Sequence, residues 1–522
     1  VDEAIFIRHL NPQGIIMTYH LPITAAIAIA VLFKGATASA DVTAPEVWAN
    51  LKTWIERGPN VIDSGTQQML GDTLTINDIS ITYDIAGTEF RLDYPSLTLR
   101  ELGDGTVGIF PPDTFGLSVT SDEGILSSVL TIDHSDLSII ADSNQGIITY
   151  DVTATDLSLD ATAFDVDGQP VNGNIGVTLS DYVGTYSTST DSGLFSAAGN
   201  DRVASAEIAV NLDFPENWGN FDLVVNADEY SRIFSKSLPE ELDQENITKA
   251  ISDGLITEHT DAIGNLEATL LFRDKDSVFD AKVSAGEVAV GVALDKTGLN
   301  TSQSARNLMV SSTMHQRATV TGTEIDLGMA EFDLEFLMPA SPSDEPEDFS
   351  LDLRLVDLDL PEHLWNQFDP AGVLPRDPAT LAFDISGKGK WLIDALDEAS
   401  WEEWLDADAP LGELHHLVLH GLRLSATGAE LTGEGEFAFD NSNLDAFEGM
   451  PRPEGTISLK LTGGNELLDK LVEMNLVPEA QATAARMTMG IFAAPGPGED
   501  ELNSMIEIDA EGNVFANGQR LR

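Results

Sequence analysis

Phe349-Ser350-Leu351-Asp352-Leu353-Arg354-Leu355-Val356 is the stretch that decides the fold. Phe349, Leu351, Leu353 and Leu355 alternate with Ser350, Asp352, Arg354 and Val356, and an extended chain is what puts every second side chain on one face. A strand is predicted over residues 349–360. Toward the N-terminus a shorter phrase of the same kind recurs: Asp78-Ile79-Ser80-Ile81, Gly116-Leu117-Ser118-Val119, Asp136-Leu137-Ser138-Ile139 and Asp156-Leu157-Ser158-Leu159. The last three copies are spaced by 20 residues, and the first lies 38 before the second. That period suits one hairpin, two strands and two turns. Two apolar residues flank a serine in each copy, so one face of the meander is apolar and the other wet.

The alternation begins near Thr73, where Leu74, Ile76 and Asp78 are expected on one face and Thr75, Asn77 and Ile79 on the other. Turn residues at Gly103-Asp104-Gly105, Asp167-Gly168, Asn172-Gly173-Asn174, Gly433-Glu434-Gly435 and Asn517-Gly518 fall between or beside strand-like runs. Further strands are predicted over 204–214, 264–273, 278–294 and 318–337. The row formed by Phe349, Leu351, Leu353 and Leu355, with Leu137, Ile139, Leu157 and Leu159 from the repeated phrases, should merge into an apolar stripe. A stripe of that size must be covered by a second sheet, by helices or by a ligand.

Helices are predicted at five places. Thr43 and Glu46 form a T-x-x-E capping box with Pro45 in the first turn, and Val47, Trp48, Leu51, Trp54 and Ile55 recur at helical spacing. Within 230–254 a start is expected at Pro239-Glu240-Glu241 and a stop at Gly254; shorter pieces are expected over 361–368 and 391–404. Residues 465–476 and 478–492 form an antiparallel pair, with one stripe of Leu467, Leu468, Leu471 and Val472 and another of Ala484, Met487, Ile491 and Phe492. Residues Ala340–Asp348 read ASPSDEPED, either a surface loop or a boundary between a β-rich region 41–340 and a second one, 341–522, that ends in the helical pair 465–492.

The 522 residues include 87 Asp plus Glu against 27 Lys plus Arg, a net charge of −60, spread along the chain. The acids read as a solvated surface suited to a salty exterior, with a calcium-dependent surface as the alternative. No Lys/Arg cluster exists to neutralise phosphates, which argues against a nucleic-acid partner. Cysteine is absent, so disulfides, thiolate metal sites and a cysteine nucleophile are excluded. Ile23–Phe33 reads ITAAIAIAVLF, too short for the roughly 20 residues of a membrane span but suited to a signal-peptide core. Ala38-Ser39-Ala40 matches the A-x-A pattern, so cleavage between Ala40 and Asp41 removes 1–40, with Met17 as an alternative start. That predicts export to the periplasm; an uncleaved inner-membrane anchor is the other reading.

No G-x-S-x-G elbow, S-x-x-K, Walker loop or H-E-x-x-H is present, and no cofactor is implied. His415, His416 and His420 cluster, but on a strand His416 and His420 stand roughly 13 Å apart at ~3.3 Å per residue, too far to share a metal. Asp165-Val166-Asp167-Gly168 and Glu507–Gly512 lack the acid spacing of an EF-hand loop and read as hairpin turns.

Asp369-Pro370-Ala371-Gly372-Val373-Leu374-Pro375-Arg376-Asp377-Pro378-Ala379, Leu431–Asp440, the helical pair, Ala494–Leu502 and the ending Asn517–Leu521 together resemble the alphaproteobacterial family called domain of unknown function 2125. The resemblance runs over most of the mature chain, is densest after Ala340 and carries no catalytic roles. The apolar-Ser-apolar strands and the N-G-x-x-L ending are more distantly similar to envelope proteins of the AsmA-like kind, which implies long curved sheets with a lipid-facing groove. The expected fold is therefore mainly β (β-rich α+β): a long curved antiparallel meander with an N-terminal helix and a C-terminal helical pair. The expected function is non-enzymatic, binding or shuttling a lipid or other apolar ligand in the envelope. The alternative is a structural or adhesion protein whose acidic surface takes calcium or an envelope partner.

Overall fold

The computed structural model describes residues 41–57, 60–85, 88–121, 126–166, 169–214, 219–242, 246–316, 323–339, 341–397, 400, 410–442, 444 and 450–521. The apolar core Ile23–Phe33 and the cleavage residues Ala38 and Ala40 lie outside them; Asp41 is the first inside. Strands make up 67% and helices 12%, and every pairing described is antiparallel, as the alternation predicts. The chain divides into two compact units. The first runs to Lys296 and takes in Ser312–Thr323 and Leu396–Glu398; the second comprises Thr297–Ser311, Glu324–Ala395 and Ala399–Arg522.

In the first unit, helix α1 (Ala44–Glu56) is followed by β1 (Val61–Asp63), β2 (Gln67–Leu70), β3 (Thr73–Ile85), β4 (Thr88–Glu101), β5 (Val107–Phe110), β6 (Thr114–Ser121), β7 (Leu126–Ser135) and β8 (Ser138–Asn144). Longer strands follow: β9 (Ile147–Val166), β10 (Gln169–Asp191), β11 (Leu194–Phe214) and β12 (Gly219–Leu238). Helix α2 (Ile247–Ser252) then leads into β13 (Ile256–Ile263), β14 (Asn265–Arg273), β15 (Ser277–Ala285) and β16 (Glu287–Asp295). β9 to β12 pair in sequence order as hairpins, and β12 pairs along its length with both β13 and β14.

Thr43 starts α1 as its sequence requires: its N–H and its hydroxyl both donate to Glu46 Oε2, at 2.9 and 2.7 Å. Ala44, Val47 and Trp48 are buried, and Leu51, Trp54 and Ile55 pack on a core built from the inner face of β3 to β11. The Trp54 ring lies 6.1 Å from both Tyr150 and Tyr186. Asn50 Oδ1 accepts from Tyr150 Oη at 2.6 Å and Thr188 Oγ1 at 2.8 Å. Both donors are buried, and Thr188 Oγ1 keeps the Ile148 carbonyl at 3.4 Å, so Asn50→Ala should cost about 1–3 kcal/mol by leaving the Tyr150 hydroxyl without its acceptor. The urea midpoint should fall with an unchanged slope; an unchanged midpoint would show that water replaces the amide.

The alternation changes phase where sequence gives no glycine to mark it. Leu74, Ile76, Ile79 and Ile81 are all buried, while Asp78 is exposed. Asp78 adopts φ +52°, which turns the strand over by one residue and brings Ile79 to the face of Ile76; the expectation that it faces the other way is corrected. Asp181, at φ +52°, does the same on β10, so Leu179 and Tyr182, three apart, share the core.

Residues 230–238, read from sequence as part of a helical region, belong to β12. The helix begins only after Asn246, whose Oδ1 caps the Lys249 N–H at 2.7 Å, and it stops at Gly254 as expected. The run predicted over 278–294 is two strands, β15 and β16. Trp391 ends a strand instead of starting a helix, and 401–409 lie outside the described residues.

The remaining strands are β17 (Gly298–Gln316), β18 (Thr323–Met338), β19 (Glu347–Leu358), β20 (Ala379–Trp391), β21 (Gly412–Ala426), β22 (Ala429–Asp440), β23 (Arg452–Thr462), β24 (Ala494–Pro495), β25 (Glu501–Ile508), β26 (Val514–Ala516) and β27 (Gln519–Arg520). Among the described residues three helices interrupt them: α3 (Glu362–Phe368), α4 (Gly464–Glu473) and α5 (Glu479–Phe492). β18 to β23 pair in sequence order and β23 then pairs with β25. β18 and β19 are neighbours in this ladder, so residues 341–346 connect paired strands within the second unit.

Candidate functional site

In the second unit the register lines up apolar side chains across strand after strand. Phe336, Leu351, Ile385, Leu419, Ile457 and Ile506 form one row, with Gly435 in the β22 position. Leu334, Leu353, Phe383, Leu422 and Leu459 form the next, with Gly433 on β22. Leu355 continues into Leu381, Leu424, Leu431 and Leu461, and Phe349 faces Gly387. All these large side chains are half-buried except Leu424, which is 47% exposed. The opposite face is wet and paired: Lys388 Nζ donates to Asp348 at 2.7 Å and Arg423 Nε to Glu430 at 2.7 Å. This is the one-sided pattern of an antiparallel sheet.

Glycine shapes that face. A Cβ on Gly387 would lie 2.6 Å from the Phe349 ring, and one on Gly433 would lie 2.6 Å from Leu459 Cδ2. Gly433 and Gly435, expected to mark a turn, stand in mid-strand in β22, where they make room for the large residues of β23. The aromatic and aliphatic rows thus settle into gaps that no larger residue would leave.

The other candidates from the apolar stripe lie in the first unit and meet a different environment. Ile139 is 3% exposed within the core, and Leu137, Leu157 and Leu159 are half-buried and packed against it. Leu159 stands beside Ile132 on β7 and Val177 on β10.

The first unit also carries a charged cluster that the sequence reading missed. Asp201 on β11, Arg232 on β12 and Asp261 on β13 are direct cross-strand neighbours. Asp201 is 4% and Arg232 7% exposed. Tyr186 Oη donates to Asp201 Oδ2 at 3.1 Å, Tyr230 Oη donates to Asp261 Oδ1 at 2.7 Å, and the Tyr182 and Tyr186 hydroxyls meet at 2.5 Å. Burial pushes the Asp201 carboxyl up to about 6, against the pull of Arg232 and the Tyr186 hydrogen bond. Burial, assisted by the Arg232 charge, lowers Lys236 to about 8. The findable signal was the alternation of Tyr230, Arg232, Phe234 and Lys236 with Ser231, Ile233 and Ser235, a period of two inside a stretch read as helical.

The remaining sequence candidates are engaged separately. His415 shares a hydrogen bond with Glu413 at 3.1 Å, His416 with Glu436 at 2.9 Å and His420 with Ser386 at 2.7 Å. Among the described residues no group of three His, Asp or Glu side chains is placed to hold a metal, and no helix is long and apolar enough to cross a membrane. Asp509 accepts from the backbone N–H of Glu511 and Asn513, as a hairpin turn requires. The helical pair forms, yet Ala484, Met487, Ile491 and Phe492 face outward, with Met487 69% exposed. The stripe predicted to join the helices is corrected: Ala482 is buried instead, and Arg486, four residues on, reaches Asp469 at 2.6 Å.

The family-like phrases turn out to be structural. Asp369, 1% exposed, accepts the N–H of Val373 and of Leu374, each at 2.9 Å, and pairs with Arg376 at 3.1 Å. Burial raises its carboxyl, but those amides and Arg376 outweigh it and hold the group below the usual carboxylate range. Arg376 also lies over the Trp365 ring, 4.5 Å from its centroid. Asn517 accepts from the Met505 N–H at 2.9 Å and donates to the Phe492 carbonyl at 3.2 Å, tying β25 to the end of α5.

No curated protein matches the chain. A family profile described as an uncharacterised protein conserved in bacteria, DUF2125, matches residues 260–521, half of the chain, starting well before Ala340 and leaving most of the first unit unmatched. With the Asp369–Arg376 tether and the Asn517 tie both inside that match, the chain belongs to the DUF2125 family.

Proposed function

We propose that this is an exported envelope protein that binds an alkyl chain, as a lipid presents it, on the apolar face of the second unit, without covalent chemistry. The observation that carries the reading is the set of Leu, Ile and Phe rows across β18 to β25, only half-buried over a sheet whose other face carries ion pairs. Apart from Ser504 beside Leu459, the two central rows offer no hydrogen-bonding side chain, so they select by shape and hydrophobicity. Covering such a face contributes roughly 25 cal/mol per Å² of apolar surface removed from water. The short apolar segment Ile23–Phe33, the Ala38-Ser39-Ala40 pattern and the −60 charge support export.

The test is native purification from an envelope extract, intact mass of the chain, and organic extraction of what accompanies it. A chain beginning at Asp41 with copurifying lipid is expected, and Leu353→Asp should stay folded while retaining severalfold less lipid. Wild-type protein free of lipid, together with a Leu353→Asp chain that cannot fold or a self-associated wild type, would mean that protein covers the face.

A further inference from the structure

The first unit buries a cation that lipid binding on the second does not use. Arg232 Nε is buried and makes no hydrogen bond; its carboxylate contact is Asp261 Oδ1, 4.0 Å away. Both flanking acids are already engaged by hydroxyls, Asp201 by Tyr186 and Asp261 by Tyr230. The guanidinium leans over the Phe234 ring, 5.2 Å from its centroid. A guanidinium carries five N–H donors in a fixed fork that matches a planar or tetrahedral oxyanion, and a buried charge with its donors unfilled is costly. Lys236 lies on the same face of β12, two residues beyond Phe234, and its ammonium has no ion-pair partner among the described residues. His259 stands opposite Phe234 on β13, and the 30% exposure of the Asp261 side chain opens the cluster to solvent.

We propose that Arg232 and Lys236 form an oxyanion site, in which a carboxylate or phosphate group lies over Phe234 and accepts from the unpartnered Nε–H of Arg232, with Lys236 as the second cation. The tyrosines serve as positioning residues: by occupying Asp201 and Asp261 they keep both carboxylates from closing on the guanidinium. Burial, and after it the Arg232 charge, lowers the proton affinity of Lys236. The oxyanion is either a free one or the headgroup of an amphiphile. The site is independent of the apolar rows of the second unit.

Delipidated full chain would be titrated by calorimetry with inorganic phosphate, with laurate, and with dodecanol as the uncharged control. The variants are Arg232→Gln and Lys236→Gln. Phosphate or laurate should bind the wild type, at least tenfold more weakly to Arg232→Gln and severalfold more weakly to Lys236→Gln, while dodecanol is indifferent to both. Phosphate binding identifies a free oxyanion site; laurate without phosphate identifies a headgroup site. Laurate bound equally by wild type and both variants would place it elsewhere and overturn the proposal, as would no binding of either anion. Should Arg232→Gln fail to fold, Lys236→Gln decides alone, and unchanged anion affinity there overturns it. Loss of dodecanol binding by Leu353→Asp tests the second unit separately, so either reading can fail alone.

Discussion

Ile139→Asp should leave the first unit unable to fold, while Leu353→Asp, an equally drastic change on paper, should leave the second folded. Ile139 is 3% exposed and pairs on β8 with Val152, itself fully buried, inside the core closed by α1. An aspartate there finds neither water nor a cation. The lost packing and the unpaired charge together cost about 5 kcal/mol or more, against a domain stability of about 5–15 kcal/mol. Leu353 is half-buried between Leu334 and Phe383, so its replacement can reach water and forfeits about 1–2 kcal/mol of apolar burial. Circular dichroism and urea unfolding of the two variants measure the contrast. Similar midpoints for both would mean that the two faces are equally closed, and the second unit would lose its claim to a ligand.

Both residues sit on the same kind of sequence pattern, which is why the difference was illegible. Alternation tells which side chains share a face, and it did so for the strand carrying Phe349 to Leu355 and for the hairpins at Leu137 and Leu157. It does not tell what stands over that face. In the first unit the answer lay in α1, whose capping box and Trp48 and Trp54 were readable, but whose target on β9 and β10 is 100 to 138 residues away in the chain, as the Asn50 bonds to Tyr150 and Thr188 show. Long-range closure of that sort leaves no local signal.

Two other failures have local causes. A non-glycine residue in a left-handed conformation, as at Asp78 or Asp181, resets the alternation without any composition cue, so strict alternation puts Ile79 on the face opposite Leu74 and Ile76 and does not single out Tyr182. The stretch containing Tyr230 to Lys236 was joined to a helical region 230–254 whose start is at Pro239 and stop at Gly254, although charged and aromatic residues there repeat every second position. That single error concealed the cationic half of the charged cluster. Its acidic half, Asp201 and Asp261, lies on two other strands and becomes one row only through the registers of β11, β12 and β13.

Replacing Asp201 with asparagine should flatten the dependence of stability on pH between about 4 and 6, and make the chain more stable above that range. Burial raises the Asp201 carboxyl to about 6, while Arg232 and the Tyr186 hydroxyl lower it and Asp261 raises it further. An unfolded aspartate titrates near 3.9. Between those values the folded chain holds a proton that the unfolded chain has released, so the group's stabilisation is complete below about pH 4 and is lost as pH rises through 6. A shift of two units corresponds to about 3 kcal/mol. Asparagine keeps an acceptor for Tyr186 and carries no charge to desolvate, so it should recover up to that amount at pH 8 and nothing near pH 4. His259, which faces the cluster from β13, is held below its ordinary value by burial and slopes the opposite way, but it does so in both proteins and cancels in their difference. Urea midpoints of wild type and Asp201→Asn from pH 4.5 to 8 give that difference directly. If the two curves stay parallel, Asp201 is ionised throughout and the carboxylate is tied to Arg232. In that case the guanidinium is no longer free for an external anion, and the same curves bear on both claims.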